Sequence, residues 1–500
     1  VDRDMSRIHV IPVQSARLDP PAEASPAPAE PETTAEPAPT LPDHAPDTDA
    51  PKITLALPEV DLTAPAPAKA PAPKADTPPS TEMRDALAQS LSSDDSAPAA
   101  KAGPDQGPAT PAFGVYVHWP FCESKCPYCD FNSHVAETVD QARWARALVS
   151  VLAHYAEDTS ERTVTTVFFG GGTPSLMRPE TVATVIDGIK GLWTTAPDME
   201  ISLEANPSSA EIAAFPDLKA AGVTRLSVGV QSFSDDALAG LGRRHDATAA
   251  RRALAGAREY FQEFSFDLIY ARPGQSEASW REELNQALEF AGPHLSFYQL
   301  TIEPGTPFHK DGVQAADDET GAALFDATQE ILGGAGLPAY EISNHARPGH
   351  ECRHNLNIWR GWDYVGVGPG AHGRLALGSP GATDDRGTHQ IHNPDRWLEK
   401  VESQGHGTAK RRKLAARDRA RERIIMGLRL SEGMDRARFR AQTGAEVLDF
   451  IDDRALNASL DVGYVTLDDA RFAATAEGRL RIAGSRISGD GLAVRTRSFS

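Results

Sequence analysis

Tyr116-Val117-His118-Trp119-Pro120-Phe121-Cys122-Glu123-Ser124-Lys125-Cys126-Pro127-Tyr128-Cys129-Asp130-Phe131-Asn132-Ser133-His134 is the stretch on which the reading of this chain turns. It gathers three of the four cysteines into eight positions, and the fourth, Cys352, lies far downstream. Thiolates packed this closely repel one another and oxidise readily unless a cation holds them. Three of them also leave one corner of a cubane iron–sulfur cluster without a protein ligand. An open iron can bind a small molecule and pass it an electron. Plainer chemistries compete. A disulfide framework belongs to short secreted chains, not to one of 500 residues. Structural zinc needs four ligands, which the three cysteines reach only by adding His118 or His134. A redox pair at Cys126 and Cys129 leaves Cys122 without a role. The ferredoxin pattern needs a shorter first step and a fourth cysteine followed by proline.

Cys-x-x-x-Cys-x-x-Cys resembles the signature of the radical S-adenosylmethionine (SAM) enzymes. The resemblance implies that Cys122, Cys126 and Cys129 hold a [4Fe–4S] cluster. It also implies that the amino and carboxylate groups of SAM chelate the fourth iron. One electron then cleaves the sulfonium to a 5′-deoxyadenosyl radical.

Residues 1–110 are of a different composition. They hold 21 of the 38 prolines, no cysteine and no aromatic residue, with 8 basic against 18 acidic side chains. Such a segment cannot bury enough apolar surface to offset its ordering entropy, and it is expected to be disordered. It lacks the basic and apolar regions of a secretory signal and is poor in Arg, unlike a mitochondrial presequence. The net charge of −20 is shared equally between this segment and the remainder. An acidic chain without a basic stripe is a poor ligand for phosphate backbones, so nucleic acid is not an expected partner. No apolar run reaches the length of a membrane span. Unpaired thiols and the missing targeting segment point to the cytoplasm.

From Phe113 onward, short apolar runs alternate with amphipathic ones. Gly114–His118, Val164–Phe169, Glu200–Glu204, Arg225–Val230, Phe264–Ile269 and Leu295–Leu300 read as strands. Asp140–Ala156, Pro179–Trp193, Asp246–Phe261 and Ser276–Ala291 read as helices between them. Such βα units predict an α/β parallel sheet with crossover helices. The resemblance selects a partial (β/α)6 barrel for residues 111–375. Residues 376–500 are expected to form an accessory domain. There Arg417–Leu430, Asp435–Thr443 and Val447–Leu460 read as helices, and Gly463–Thr466 with Arg479–Ile482 as a hairpin. That order is similar to a winged helix, and to the C-terminal domain of the coproporphyrinogen-oxidase branch.

The remaining motifs fall at successive strand ends, where barrels place their sites. Gly170-Gly171-Gly172-Thr173 allows close backbone approach to a ligand. It is similar to the family loop that holds the SAM amino group, which assigns Gly171, Gly172 and Thr173 to cofactor binding. By the same resemblance Glu204 contacts SAM, Gln231 binds its ribose, Arg243 contacts SAM, and Asp267 is an acid at the adenosine site. Tyr116 lines the cluster pocket, and Tyr128, between the second and third cysteines, joins the same cofactor-binding set.

Two elements point to a branch. Oxygen-independent coproporphyrinogen III oxidases carry a further cysteine two residues after the third. Here that position is Phe131, and Cys129-Asp130-Phe131-Asn132-Ser133-His134 resembles the HemW-type haem chaperones instead. His354-Asn355-Leu356-Asn357-Ile358-Trp359 resembles their His-Asn-x-x-Tyr-Trp motif, with Ile358 replacing the tyrosine. The resemblance makes His354 a haem ligand. His350, Cys352 and His354 also alternate like metal ligands on an extended segment. Ordinary polar loop residues are the plain alternative, and an exposed loop histidine could offer a neutral imidazole to haem iron. The expected function is a cytoplasmic radical SAM haem chaperone. It would bind cluster, SAM and haem, take electrons from a donor such as flavodoxin or ferredoxin, and pass haem to an acceptor protein. The rival is a decarboxylating coproporphyrinogen oxidase, an activity that Phe131 argues against.

Overall fold

A computed structural model describes residues 111–377 and 384–484. The expected disordered segment 1–110 lies outside the described residues.

Six strands follow one another in sequence and in space: β1 (Phe113–Trp119), β2 (Thr163–Gly171), β3 (Thr194–Ala205), β4 (Arg225–Gln231), β5 (Glu263–Tyr270) and β6 (His294–Gln299). Each pairs parallel with the next. β1 is buried at every residue, as a central parallel strand covered on both faces must be. Most of the crossover helices begin where short polar side chains can bond the free amides of a first turn, while helix Pro179–Leu192 starts on a proline instead. Asp140, Ser208, Ser234, Asp246 and Ser276 each accept such a bond.

The sheet does not stop at six strands. β7 (Asn344–Ala346) closes one edge antiparallel to β6. β8 (Asp363–Val367) pairs parallel with the other side of β1. Gly366 is therefore a strand residue opposite Tyr116, between the fully buried Val365 and Val367. β9 (His372–Leu377), β10 (Asp384–Gln390) and β11 (Thr408–Lys413) extend this edge antiparallel. The result is an open sheet of eleven strands, a partial barrel with two edges. The expected boundary at residue 375 falls inside β9. Helix Pro394–Gln404 folds back on helix Gln141–Ala156, where Trp397 stacks on Trp144 at 5.3 Å.

Helices Ala416–Gly427, Arg436–Thr443 and Asp453–Asp461 pack with a small antiparallel sheet, β12 (Met434–Asp435), β13 (Val465–Leu467) and β14 (Arg471–Ala474). They share their own apolar core around Phe439, Ile451 and Phe472, in a winged-helix-like arrangement. Two expectations are corrected here. Val447–Leu460 is not one helix, because Asp452 caps a new helix after a 3-10 turn at Val447–Phe450. The second wing strand is Arg471–Ala474, and Arg479–Ile482 lies in helix Ala476–Gly484. The Asp468 carboxylate accepts from the amides of Ala470 and Arg471, both at 2.7 Å, and so tightens the turn.

Candidate cluster and cofactor site

The cysteine loop is tied down before any ion is considered. Phe121–Cys122 pairs with His134–Val135, closing its base, and the Cys129 amide bonds the Cys126 carbonyl at 3.1 Å. His118 reaches across with Nε2 3.0 Å from the Asn132 carbonyl and Nδ1 2.9 Å from the Tyr116 hydroxyl. A carbonyl only accepts, so Nε2 carries the proton and Nδ1 accepts from Tyr116. Burial pushes His118 down to about 4, which keeps this tautomer neutral. Both ring nitrogens are engaged, so the zinc set that needed His118 loses it. Asn132 donates to the Pro369 and His392 carbonyls, both at 2.9 Å, and so fastens the loop to the end of β8.

Each thiol has its own polar neighbour. The Thr173 hydroxyl donates to Cys122 Sγ at 3.5 Å, Arg243 Nη1 donates to Cys126 Sγ at 3.3 Å, and Ser133 Oγ lies 3.8 Å from Cys129 Sγ. Burial raises the Cys122 thiol and pushes Cys129 up to about 11, so cations must displace protons to bind there. Among the described residues no three His, Cys, Asp or Glu side chains are grouped to chelate a single metal ion. A cubane does not require that grouping, since each thiolate binds a different iron.

The glycine loop lies directly against the cysteines. A Cβ on Gly172 would meet Cys122 Sγ at 3.0 Å and the Phe121 carbonyl at 2.7 Å. Gly171 has φ +119°, and a Cβ there would strike the His118 ring at 2.7 Å. Its amide donates to Glu204 Oε2 at 3.2 Å. From Glu204 the site continues to Asp267, which accepts from Ser227 Oγ at 3.3 Å. Burial and then repulsion from Asp267 push Glu204 up to about 8, and burial pushes Asp267 up to about 6. Burial makes both carboxyls costly to ionise, a cost that a bound cation offsets, and SAM carries a positive sulfonium.

Arg243 links the cysteine loop to β4 and the residue that follows β3, its Nη2 donating to Asn206 Oδ1 at 2.6 Å and to the Gly229 carbonyl at 2.9 Å. Asn206 Nδ2 donates on to Thr173 at 3.0 Å. Asn206 was not singled out from the sequence, and its place two residues after Glu204 was the available signal. Gln231 ends β4 at φ +69°, a strained conformation for a non-glycine residue, with its Oε1 buried and unpartnered. Arg243 Nε is likewise buried without a partner. Buried polar atoms left open beside three thiols fit a polar ligand bound across these strand ends. Tyr128 packs on Phe308 at 6.2 Å, and burial raises its phenol. Tyr116, Tyr128, the glycine loop, Glu204, Gln231, Arg243, Asp267 and the cysteines thus lie at one end of the barrel.

His354 does not join them. Its segment is helix Arg353–Trp359, not an extended loop, and His354 is 1% exposed. The ring sits among the strand starts, with Nδ1 3.0 Å from Thr166 Oγ1, and stacks on Phe168 at 5.2 Å. Phe168 in turn faces Tyr116 at 6.4 Å. Burial pushes His354 down to about 3, and Nε2 has no partner. The expected ligand trio is dispersed. His350 Nδ1 lies 2.7 Å from Glu263 Oε1, and the buried Cys352 thiol donates to Glu200 at 3.6 Å.

A parallel barrel with three cysteines of this spacing and a glycine loop at its strand ends defines a radical SAM protein. Residues 116–287 match the Radical SAM superfamily model and residues 414–481 the HemN C-terminal domain. The chain is 38% identical to the heme chaperone HemW of Escherichia coli (strain K12), over 71% of this chain and 92% of that protein. It is 39% identical to the mitochondrial radical S-adenosyl methionine domain-containing protein 1 of Bos taurus, over 66% of this chain and 76% of that one. The solved coproporphyrinogen III oxidase (HemN) of Escherichia coli superposes with a TM-score of 0.64 at 24% identity, covering 74% of this chain and 88% of that one. This chain belongs to the HemW family of radical SAM proteins.

Proposed function

We propose that the protein is a cytoplasmic haem chaperone that binds a [4Fe–4S] cluster, SAM and haem and delivers haem to an acceptor protein. Cys122, Cys126 and Cys129 would hold the cluster. Gly171, Gly172, Thr173, Glu204, Gln231, Arg243 and Asp267 would hold SAM, with Tyr116 and Tyr128 as walls. When bound, the pair supplies one-electron cleavage of the sulfonium. Arg243 donates to Cys126 and orients Asn206, and Glu204 gives up its proton when a cation arrives. His354, with its open Nε2, is the proposed haem ligand. Because it is buried, ligation requires helix Arg353–Trp359 to move.

The observation that carries this reading is Phe131. A hydrocarbon ring can neither ligate a metal nor donate a hydrogen atom readily at the position where the oxidases place a thiol. The names of the HemW relatives support the same branch. The second reading, a coproporphyrinogen oxidase, is favoured by the shared fold with HemN. The test is anaerobic incubation of reconstituted protein with coproporphyrinogen III, SAM and a reductant. No protoporphyrinogen is expected, and robust formation of it would install the second reading.

A further inference from the structure

Edge strand β11 carries Lys410-Arg411-Arg412-Lys413, four consecutive cations, all exposed, in a chain of net charge −20. They do not share one fate. Arg411 pairs with Asp158, and Lys413 lies 3.7 Å from Asp384. Lys410 and Arg412 have no ion-pair partner among the described residues. A strand alternates its side chains, so these two share the opposite face, roughly 7 Å apart. That face continues toward the cysteine loop. Lys410 stands opposite His389, whose ring lies 4.5 Å from His392. The His392 carbonyl accepts from Asn132 of the cysteine loop at 2.9 Å, and Asn132 Oδ1 lies 3.2 Å from His134 Nε2. Across the same loop Lys125 Nζ bonds the Phe131 and Ser133 carbonyls at 3.2 and 3.3 Å, leaving its charge exposed.

We propose that the surface from Lys125 through His134, His392 and His389 to Lys410 and Arg412 is the docking site of an acidic one-electron carrier protein that reduces the cluster. The inference rests on the reading that the cysteine loop holds a redox-active cluster. A carrier must bring its redox group close to that loop, and an acidic one is otherwise repelled by this chain's net charge. A local run of cations beside the loop overcomes that repulsion and orients the encounter. Lysines on an edge strand also discourage pairing with other chains. Edge protection, however, needs no continuity with the cysteine loop, and here the unpaired cations lie on the face that reaches it.

The test is stopped-flow reduction of the reconstituted full chain by flavodoxin hydroquinone, for wild type, Lys410→Glu/Arg412→Glu, and the charge-matched control Lys190→Glu/Arg252→Glu on distant exposed helix positions. The edge variant is expected to lose about tenfold or more of the second-order rate at low ionic strength, with a flattened salt dependence. Reduction by dithionite should stay within about twofold of wild type, and the control should lose much less than the edge variant with flavodoxin. Equal rates for edge variant and wild type, or equal losses for edge variant and control, would overturn the proposal. So would self-association of the edge variant in size-exclusion chromatography at an unchanged flavodoxin rate, which identifies edge protection. A wild-type protein with no dithionite-reducible chromophore would instead remove the cluster reading beneath it.

Discussion

Glu204 sits where a protonation change and ligand binding meet. Its ligand-free carboxyl, pushed up to about 8 from 4.5, binds its proton more tightly in the folded chain than in the unfolded one. The stability this contributes is complete below pH 4.5 and is lost progressively as pH rises to about 8. Glu204→Gln removes the titration. Denaturant melts of the ligand-free protein should therefore show wild type losing stability relative to the variant across that window, and parallel curves would contradict the assignment. Glu204 and Gln231 were legible because each stands at a strand end inside a recognisable motif, and Arg243 and Asp267 because each lies in a motif of its own, Arg243 in the turn before helix Ala247–Tyr260 and Asp267 within β5. The bonds among them were not. Asn206 matters because Arg243 and Thr173 converge on it from 37 and 33 residues away, and a linear pattern carries no such convergence. His118 read as a spare ligand until both its nitrogens were seen to be engaged.

Helix Arg353–Trp359 shows how tertiary contacts decide a short element. Seven residues are too few to be a stable helix alone, and their polar alternation reads equally well as a strand. The helix is held instead by its surroundings. The His354 amide donates to Glu200, Arg353 pairs with Asp198, and Arg429 of the C-terminal region lies 4.3 Å over the Trp359 ring. Arg429 also pairs at 3.0 Å with Glu341, whose side chain is fully buried. Arg429→Ala should therefore destabilise the fold by about 3 kcal/mol or more, because it strands a buried carboxylate, measured by chemical denaturation. A loss below about 1 kcal/mol, the range of an exposed pair, would show that the contact does not hold the helix. The strands of the parallel core were legible from apolar runs that pairing in sequence order reinforces. The extension was not, because β10 and β11 read Asp-Asp-Arg-Gly-Thr-His-Gln and Thr-Ala-Lys-Arg-Arg-Lys, with no apolar stripe to announce them. Their partners are fixed by the sheet edge they join.

The whole molecule places its two proposed sites at opposite ends of one barrel. The cysteines and glycine loop lie at the strand ends and His354 among the strand starts, with Phe168 packed between His354 and Tyr116. Haem ligation at His354 thus asks for movement of a helix braced by the C-terminal domain. The cysteine site asks for none. Among the described residues no helix is long and apolar enough to cross a membrane. The most direct test of this account is an anaerobic haem titration of the cluster-reconstituted protein, read by the Soret band, for wild type and His354→Ala. The account predicts one haem per chain in wild type, with weakened binding or a shifted Soret band in the variant and unchanged cluster absorbance and SAM affinity. No stoichiometric haem uptake, or a Soret spectrum indifferent to His354→Ala, would contradict it.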